Sequence, residues 1–311
     1  MTRESTHETV LMQEAIDALS IREDGIYVDA TFGRGGHSSL ILKHLGPNGS
    51  LIVFDKDPEA IEVAINIREK DERLQIAHAP FGDIEAQLNE LGVNDGVDGV
   101  LFDLGVSSPQ LDNAERGFSF LRDGPLDMRM DPTAGQSAEE WINSAEEKEI
   151  ADVLYQYGEE RHSRRMARRV ILERTEKRIT TTAELAEIIK EANPAWERDK
   201  HPATRAFQGI RIFINDELGE LERGLEQALK MLKVGGRLVA ISFHSLEDRM
   251  VKKFISTEAK GDSYPRGLPI PQDMLSPKLK PIGKRVKASA LEVDRNTRSR
   301  SAVMRVAEKI A

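Results

Sequence analysis

Apolar runs and amphipathic stretches alternate along the first third of the chain. Ile26–Ala30, Leu51–Asp55, Leu74–His78 and Gly99–Leu104 are strand-like, and Ser38–Leu45, Pro58–Lys70 and Asp83–Leu91 between them carry helical spacing. Gly46-Pro47 supplies a stop for the first of these helices. Strands alternating with helices predict a parallel sheet joined by right-handed crossovers. The pattern resumes late in the chain. A long helical stretch, about Ala206–Leu232, leads through the Gly235-Gly236 turn to a strand at Arg237–Phe243. Ser301–Glu308 reads as a last strand, paired with Gly283–Ala288. Gly261–Pro281 holds five prolines and reads as a surface loop.

The middle of the chain, about Pro109 to Pro202, lacks strand pattern. Ser137-Ala-Glu-Glu140 and Thr181-Thr-Ala-Glu184 are capping-box sequences that start helices, and Asn193-Pro194 ends one. The expected architecture is therefore α/β and Rossmann-like with an inserted all-helical domain. Residues 1–108 and 206–311 form the two parts of the α/β domain, and 109–205 form the insert.

Composition narrows the chemistry. The 311 residues contain no cysteine, which removes disulfides, thiolate metal sites and Cys nucleophiles together. Methylation of cytosine at carbon 5 ordinarily begins with thiolate attack on the ring, so that reaction is disfavoured. No apolar run approaches the roughly 20 residues that span a bilayer, and Met1–Glu8 lacks a secretory layout, so a cytoplasmic location is expected. The net charge of −9 does not steer the whole molecule towards nucleic acid. Any nucleic-acid site must gather its basic residues locally.

One glycine-rich turn stands at the end of the first strand, Asp29-Ala-Thr-Phe-Gly-Arg-Gly-Gly-His37. Such a turn into a helix lets a ligand approach backbone N–H groups closely. Asp55 follows Gly33 by 22 residues at the end of the second strand, the usual place for an acceptor of ribose hydroxyls. Phe81 after the third strand offers a face for an adenine, and Asp103 ends the fourth. All four groups fall at carboxyl ends of strands, where open α/β sheets bind ligands. The dinucleotide fingerprint wants a further glycine where Ser38 stands, and the methyltransferase turn wants one where Thr31 stands, so neither template fits fully.

Longer stretches resolve the choice. Thr9–Leu11, Asp29–His37, Asp103–Leu111, Glu115–Pro132, Tyr157–Arg161, His201–Gln208 and Ser242–Arg249 resemble the small-subunit ribosomal RNA methyltransferase H family, also called MraW, and they spread over nearly the whole chain. The resemblance implies a class I S-adenosylmethionine-dependent methyltransferase fold. It implies transfer of a methyl group to the N4 amine of a cytidine in the decoding region of 16S rRNA, with the 30S subunit as the expected partner and free rRNA as the open alternative. It also implies cofactor contacts at Gly35, Gly36, His37, Asp55, Phe81, Asp103 and Gln110.

Amine methylation needs no covalent intermediate, and no metal is expected. It needs an aligned nitrogen and an acceptor that localises its lone pair. Asp103 and the Ser107-Ser108 turn are candidates for the amine-facing side; Asp103 as cofactor anchor only is equally open. His244 reads either as a base-holding group or as a hydrogen-bonded strand-end histidine. For RNA, Arg161, Arg164, Arg165, Arg168 and Arg169 recur at helical spacing, and residues 161–178 carry eight basic against two acidic side chains. The alternative is a solvated face paired with nearby glutamates. A second basic group comprises Lys284, Arg285, Lys287, Arg295, Arg298 and Arg300. Gly117–Pro132 suits a mobile cover or an ordinary connecting loop. Rival functions are methylation of DNA or of a protein amine, an RNA-binding ribosome-assembly factor, and a nicotinamide-dependent oxidoreductase.

Overall fold

The computed structural model describes residues 9–194, 201–261 and 275–311. The chain divides into two compact units, Met1–Gly105 with Leu218–Ala311, and Val106–Glu217.

The first unit begins with α1 (Met12–Leu19), β1 (Ile26–Asp29), α2 (Gly36–His44), β2 (Ser50–Asp55), α3 (Pro58–Arg68), β3 (Leu74–His78), α4 (Ile84–Glu90) and β4 (Val97–Asp103). Asp57 accepts a bond from the Glu59 N–H at 3.0 Å and Pro58 opens the helix, so α3 starts where capping chemistry places it. β2 and β4 are buried almost end to end, as expected of strands covered on both faces.

The helical unit follows in the sequence with α5 (Ser108–Asp112), α6 (Ala138–Ser144), α7 (Glu147–Gln156), α8 (Ser163–Glu176), α9 (Thr182–Ala192) and α10 (Thr204–Ile214). Ser137 with Glu140 and Thr181 with Glu184 form both expected capping boxes. Its core is its own, built on Trp141, Leu154, Met166, Leu185 and Ile210. The chain then continues through α11 (Glu217–Met231), β5 (Leu232–Ser242), α12 (Ser245–Lys260), β6 (Leu279–Pro281), β7 (Val286–Lys287), α13 (Ala290–Arg295) and β8 (Val303–Lys309).

The strands form one sheet in the order β3-β2-β1-β4-β5-β8-β6, with β7 also paired to β8. β1 to β5 are parallel, and β8 runs antiparallel to β5. Alternate residues of the same strands enter two cores. Val28, Phe54, Phe102 and Leu238 pack with α11 and α12, whereas Tyr27, Val53, Leu101 and Val239 pack with α1 and α2. Strand order reverses between β1 and β4, the switch point beside which ligands bind in such sheets.

Three expectations are corrected. The single helix expected over 206–232 is two helices, because Asp216 adopts φ 49° between α10 and α11. Asn215 holds that break: its side chain accepts from the Met130 N–H at 2.7 Å and donates to the Met128 carbonyl at 2.8 Å. In consequence α10 belongs to the helical unit, where Ala206, Phe207 and Ile210 join its core, and the unit runs to Glu217 rather than to 205. Of the loop expected at Gly261–Pro281, residues 262–274 lie outside the described residues, while Leu279–Pro281 is β6 and pairs with β8. Among the described residues, no helix is long and apolar enough to cross a membrane.

Candidate active site

The turn after β1 is held by its own side chains. Asp29, fully buried, accepts from the Ser38 hydroxyl at 2.6 Å and the Thr31 N–H at 3.2 Å. Burial raises its carboxyl above the usual range despite those bonds. Thr31 stands where the methyltransferase turn has a glycine, and its Oγ1 accepts from the Asp103 N–H at 2.6 Å, tying the end of β4 to the turn. The imperfect match at Thr31 thus has a structural cause.

Gly35 and Gly36 are glycines for reasons of space. Gly35 adopts φ 75°, and a Cβ there would lie 2.8 Å from the Phe32 ring. A Cβ on Gly36 would overlap Thr9 Oγ1. Thr9 is a residue that turn spacing alone does not single out.

Beside this turn lie an ionisable pair and a single carboxyl held by backbone N–H groups. His37, 4% exposed in the first turn of α2, places Nε2 3.4 Å from Asp103 Oδ2. Neither ring nitrogen has a hydrogen-bond partner among the described residues, and neither does Asp103 Oδ1. Burial pushes the imidazole down, but the Asp103 and Asp29 carboxylates outweigh it and hold His37 above its ordinary value. At the end of β2, Asp55 accepts from the Gly33 N–H at 2.8 Å and the Asp57 N–H at 2.9 Å. Burial outweighs those two bonds and pushes its carboxyl up to about 6.

Phe81 opens a short 3₁₀ turn after β3. Its ring meets Phe102 edge-on at 5.5 Å, and its N–H donates to Glu220 Oε1 at 2.9 Å. Glu220 also pairs with Lys56 at 2.6 Å, so it fastens the ends of β2 and β3 to α11. Its position in the middle of an amphipathic helix gave no sequence signal.

The structure therefore brings Gly35, Gly36, His37, Asp55, Phe81 and Asp103 to the carboxyl edge of one sheet. Ser108 and Gln110 belong to α5 of the helical unit, where both are buried and Gln110 Oε1 accepts from the Ser107 N–H at 2.9 Å. His244 is the N-cap of α12, with Nε2 3.1 Å from Glu247 Oε1. Glu247 also accepts from the Phe243 N–H at 2.9 Å, and Asp248 pairs with Arg305 at 2.7 Å.

Within the helical unit, Arg164, Arg165 and Arg168 are exposed on α8, opposite Met166, Ala167 and Val170 in the core. Arg161 is corrected: it sits in a turn before α8, because Glu159 at φ 52° interrupts the helix and His162 is the N-cap. Arg168 lies 3.7 Å from Glu147, and Arg169 pairs with Glu173 at 2.8 Å and Glu191 at 2.9 Å. Arg164 and Arg165 form no ion pair among the described residues. The 117–132 segment is pinned rather than loose. Leu126 and Met128 are fully buried, and Arg116 donates to the Met130 carbonyl at 2.8 Å.

A family model described as the MraW methylase family matches residues 4–310. The chain belongs to the MraW methylase family. Solved structures similar to it include an rRNA-methylase candidate from Clostridium thermocellum, 12% identical over 98% of each chain with a TM-score of 0.43. An rRNA methylase from Streptococcus thermophilus is 10% identical over 98% of each chain, with a TM-score of 0.43. A methyltransferase candidate from Streptococcus mutans in complex with SAH is 12% identical over 98% of this chain and 100% of that one, with a TM-score of 0.42.

As in this family, the fold is that of a class I methyltransferase and the cofactor is S-adenosylmethionine. The residues present fit that group. Buried polar atoms of His37 and of the partly buried Asp103 have no hydrogen-bond partner among the described residues at the switch point, and two glycines clear the backbone beside them. Asp55 at the end of β2 is placed as an acceptor for ribose hydroxyls, and Asp103 ends β4 at the same edge.

Proposed function

We propose that this methyltransferase acts on ribosomal RNA and methylates the exocyclic N4 amine of a cytidine in the decoding region of 16S rRNA within the 30S subunit. The observation that carries the reading is the family match over residues 4–310, with the idiosyncratic Asp103–Leu111, Glu115–Pro132 and Ser242–Arg249 stretches inside it.

S-adenosylmethionine supplies, when bound, a methyl group already activated on a sulfonium. The remaining task belongs to the chain. Asp55 accepts the ribose hydroxyls, and Gly35 and Gly36 leave room for close backbone approach. Phe81 offers its ring to the adenine, and Gln110 completes the cofactor contacts. The lone pair of the cytosine amine is delocalised into the ring, so an acceptor for its N–H raises its nucleophilicity. Asp103 is that acceptor: Oδ2 faces His37, while Oδ1 has no hydrogen-bond partner. His37 holds the carboxylate in place, and Ser108 lines the amine-facing side. Arg161, Arg164, Arg165 and Arg168 bind phosphates of the RNA, for which the planar guanidinium fork is suited.

The test is to incubate unmodified 30S subunits with methyl-labelled S-adenosylmethionine and to digest the RNA to nucleosides. Label in N4-methylated cytidine is expected. Label in any other nucleoside or in protein contradicts the reading.

A further inference from the structure

The C-terminal part of the first unit contrasts with the acidic whole. Residues 275–311 hold ten basic and three acidic side chains, in a chain of net charge −9. Part of this excess converges on a groove of about 340 Å³ between α12 and the β6–β8 segment. Its walls carry Lys252, Ser256 and Lys260 from α12, Lys284 and Arg285 from the β6–β7 turn, and Arg305 from β8, with no carboxylate among the lining residues.

Lys252, Ser256 and Lys260 recur at i, i+4 and i+8, one face of α12 about 12 Å long. Arg305 is held by Asp248 at 2.7 and 3.0 Å, which fixes it in the wall. Lys252, Lys260, Lys284 and Arg285 are exposed and form no ion pair among the described residues. The floor is apolar, with Ile255 and Val306.

The groove also has a defined position on the sheet. Ser242, the last residue of β5, pairs with Val303, which also pairs with Lys287 of β7. Lys287 is therefore level with the carboxyl edge that carries Asp55 and Asp103. Lys284 and Arg285 precede it by three and two residues. Of the residues that line the groove, Arg305 and Val306 pair with Ala240 and Val239 of β5, and Pro281 pairs with Ala307, so the groove runs from beside that edge back along the strands.

We propose that the groove between α12 and β6–β8 binds the sugar–phosphate backbone of the RNA substrate. The proposal rests on the reading of RNA as the substrate. Cations on two facing walls match successive phosphates, and the apolar floor accepts the faces of riboses. A groove without carboxylates, in an acidic protein, supplies the local positive field that the net charge does not.

The test uses the full chain with two charge reversals, Lys284→Glu with Arg285→Glu and Lys252→Glu with Lys260→Glu. The neutral pair Lys284→Ala with Arg285→Ala covers any loss of folding. Each reversal should weaken binding to unmodified 16S rRNA roughly tenfold near 0.1 M salt. It should also flatten the slope of log affinity against log salt by about 1.4, at roughly 0.7 per single-strand phosphate contact. S-adenosylmethionine affinity and turnover at saturating RNA should stay unchanged. In the wild type, bound RNA should protect Lys252, Lys260 and Lys284 from acetylation, read by mass spectrometry.

Wild-type affinity and salt slope in both reversals, from a wild type that itself binds and methylates RNA, overturn the groove alone. A wild type that binds neither naked 16S rRNA nor unmodified 30S subunits overturns the groove together with the substrate reading. Unchanged binding to naked RNA with weakened binding to 30S subunits assigns the groove to a ribosomal protein and overturns it as a phosphate site.

Discussion

Asp55→Asn tests the cofactor edge through both stability and affinity. Burial moves the Asp55 carboxyl from 3.8 to about 6 in the folded chain. A carboxyl raised on folding favours the protonated native state, so its ionisation opposes folding as pH rises. The penalty is absent below pH 3.8 and complete above about 6. At 1.36 kcal/mol per pH unit it reaches at most about 3 kcal/mol, an upper bound because the group keeps some solvent contact. The rise to about 6 is what remains after the N–H groups of Gly33 and Asp57 bond to the charged form. The stability difference between wild type and Asp55→Asn, from urea unfolding without cofactor, should therefore shift against the wild type by up to about 3 kcal/mol between pH 4 and pH 7. Ribose hydroxyls donate best to the ionised carboxylate, and a bond to a charged group is worth about 1.5–3 kcal/mol. Calorimetry at pH 7.5 should accordingly show Asp55→Asn binding S-adenosylmethionine roughly 10- to 150-fold more weakly. Wild-type affinity should fall as pH drops through about 6, and the variant should lack that dependence. A wild-type affinity constant from pH 5 to 7.5, or wild-type affinity in Asp55→Asn, refutes the reasoning.

Gly36→Ala should destabilise the chain by about 1–3 kcal/mol in urea unfolding, because the new Cβ overlaps Thr9 Oγ1. Adding Thr9→Ala should recover part of that loss, and strictly additive effects would contradict the contact. Asp103→Asn should lower turnover about 10²-fold or more with much less effect on cofactor affinity, measured by single-turnover kinetics beside calorimetry. Loss confined to cofactor affinity would instead make Asp103 an anchor. Arg164→Glu with Arg165→Glu should weaken 16S rRNA binding and flatten its salt dependence by about 1.4. Arg169→Ala, whose parent guanidinium is engaged by two glutamates, should bind RNA as the wild type does.

The sheet was legible because its strands obey simple patterns. β3 coincides with the expected run, and β1, β2 and β4 start or end within two residues of theirs. The capping boxes at Ser137 and Thr181 were legible for the same reason, since the chemistry is local. What escaped depends on distant partners. The break at Asp216 follows from Asn215 bonding the backbone at Met128 and Met130, 87 and 85 residues away. The β5 start at Leu232 follows from pairing with Val97, with an irregularity before Gly99 pairs with Arg237.

The candidate site divides in the same way. Asp55 and Asp103 were visible from strand-end position alone. Thr9, Thr31 and Glu220 were not, because each acts on a residue far along the chain: Gly36, Asp103 and Phe81. The arginines of α8 looked alike at helical spacing, yet Arg169 is paired and Arg161 lies off the helix.

The most direct measurement of the central claim maps the methyl group on the RNA. Unmodified 30S subunits are reacted once with deuterated-methyl S-adenosylmethionine, and the 16S rRNA is cut into fragments for tandem mass spectrometry. The account predicts the heavy methyl on the N4 amine of one cytidine in the decoding-region fragment. A heavy methyl in another fragment, on carbon 5 of the base or on a ribose hydroxyl would contradict it.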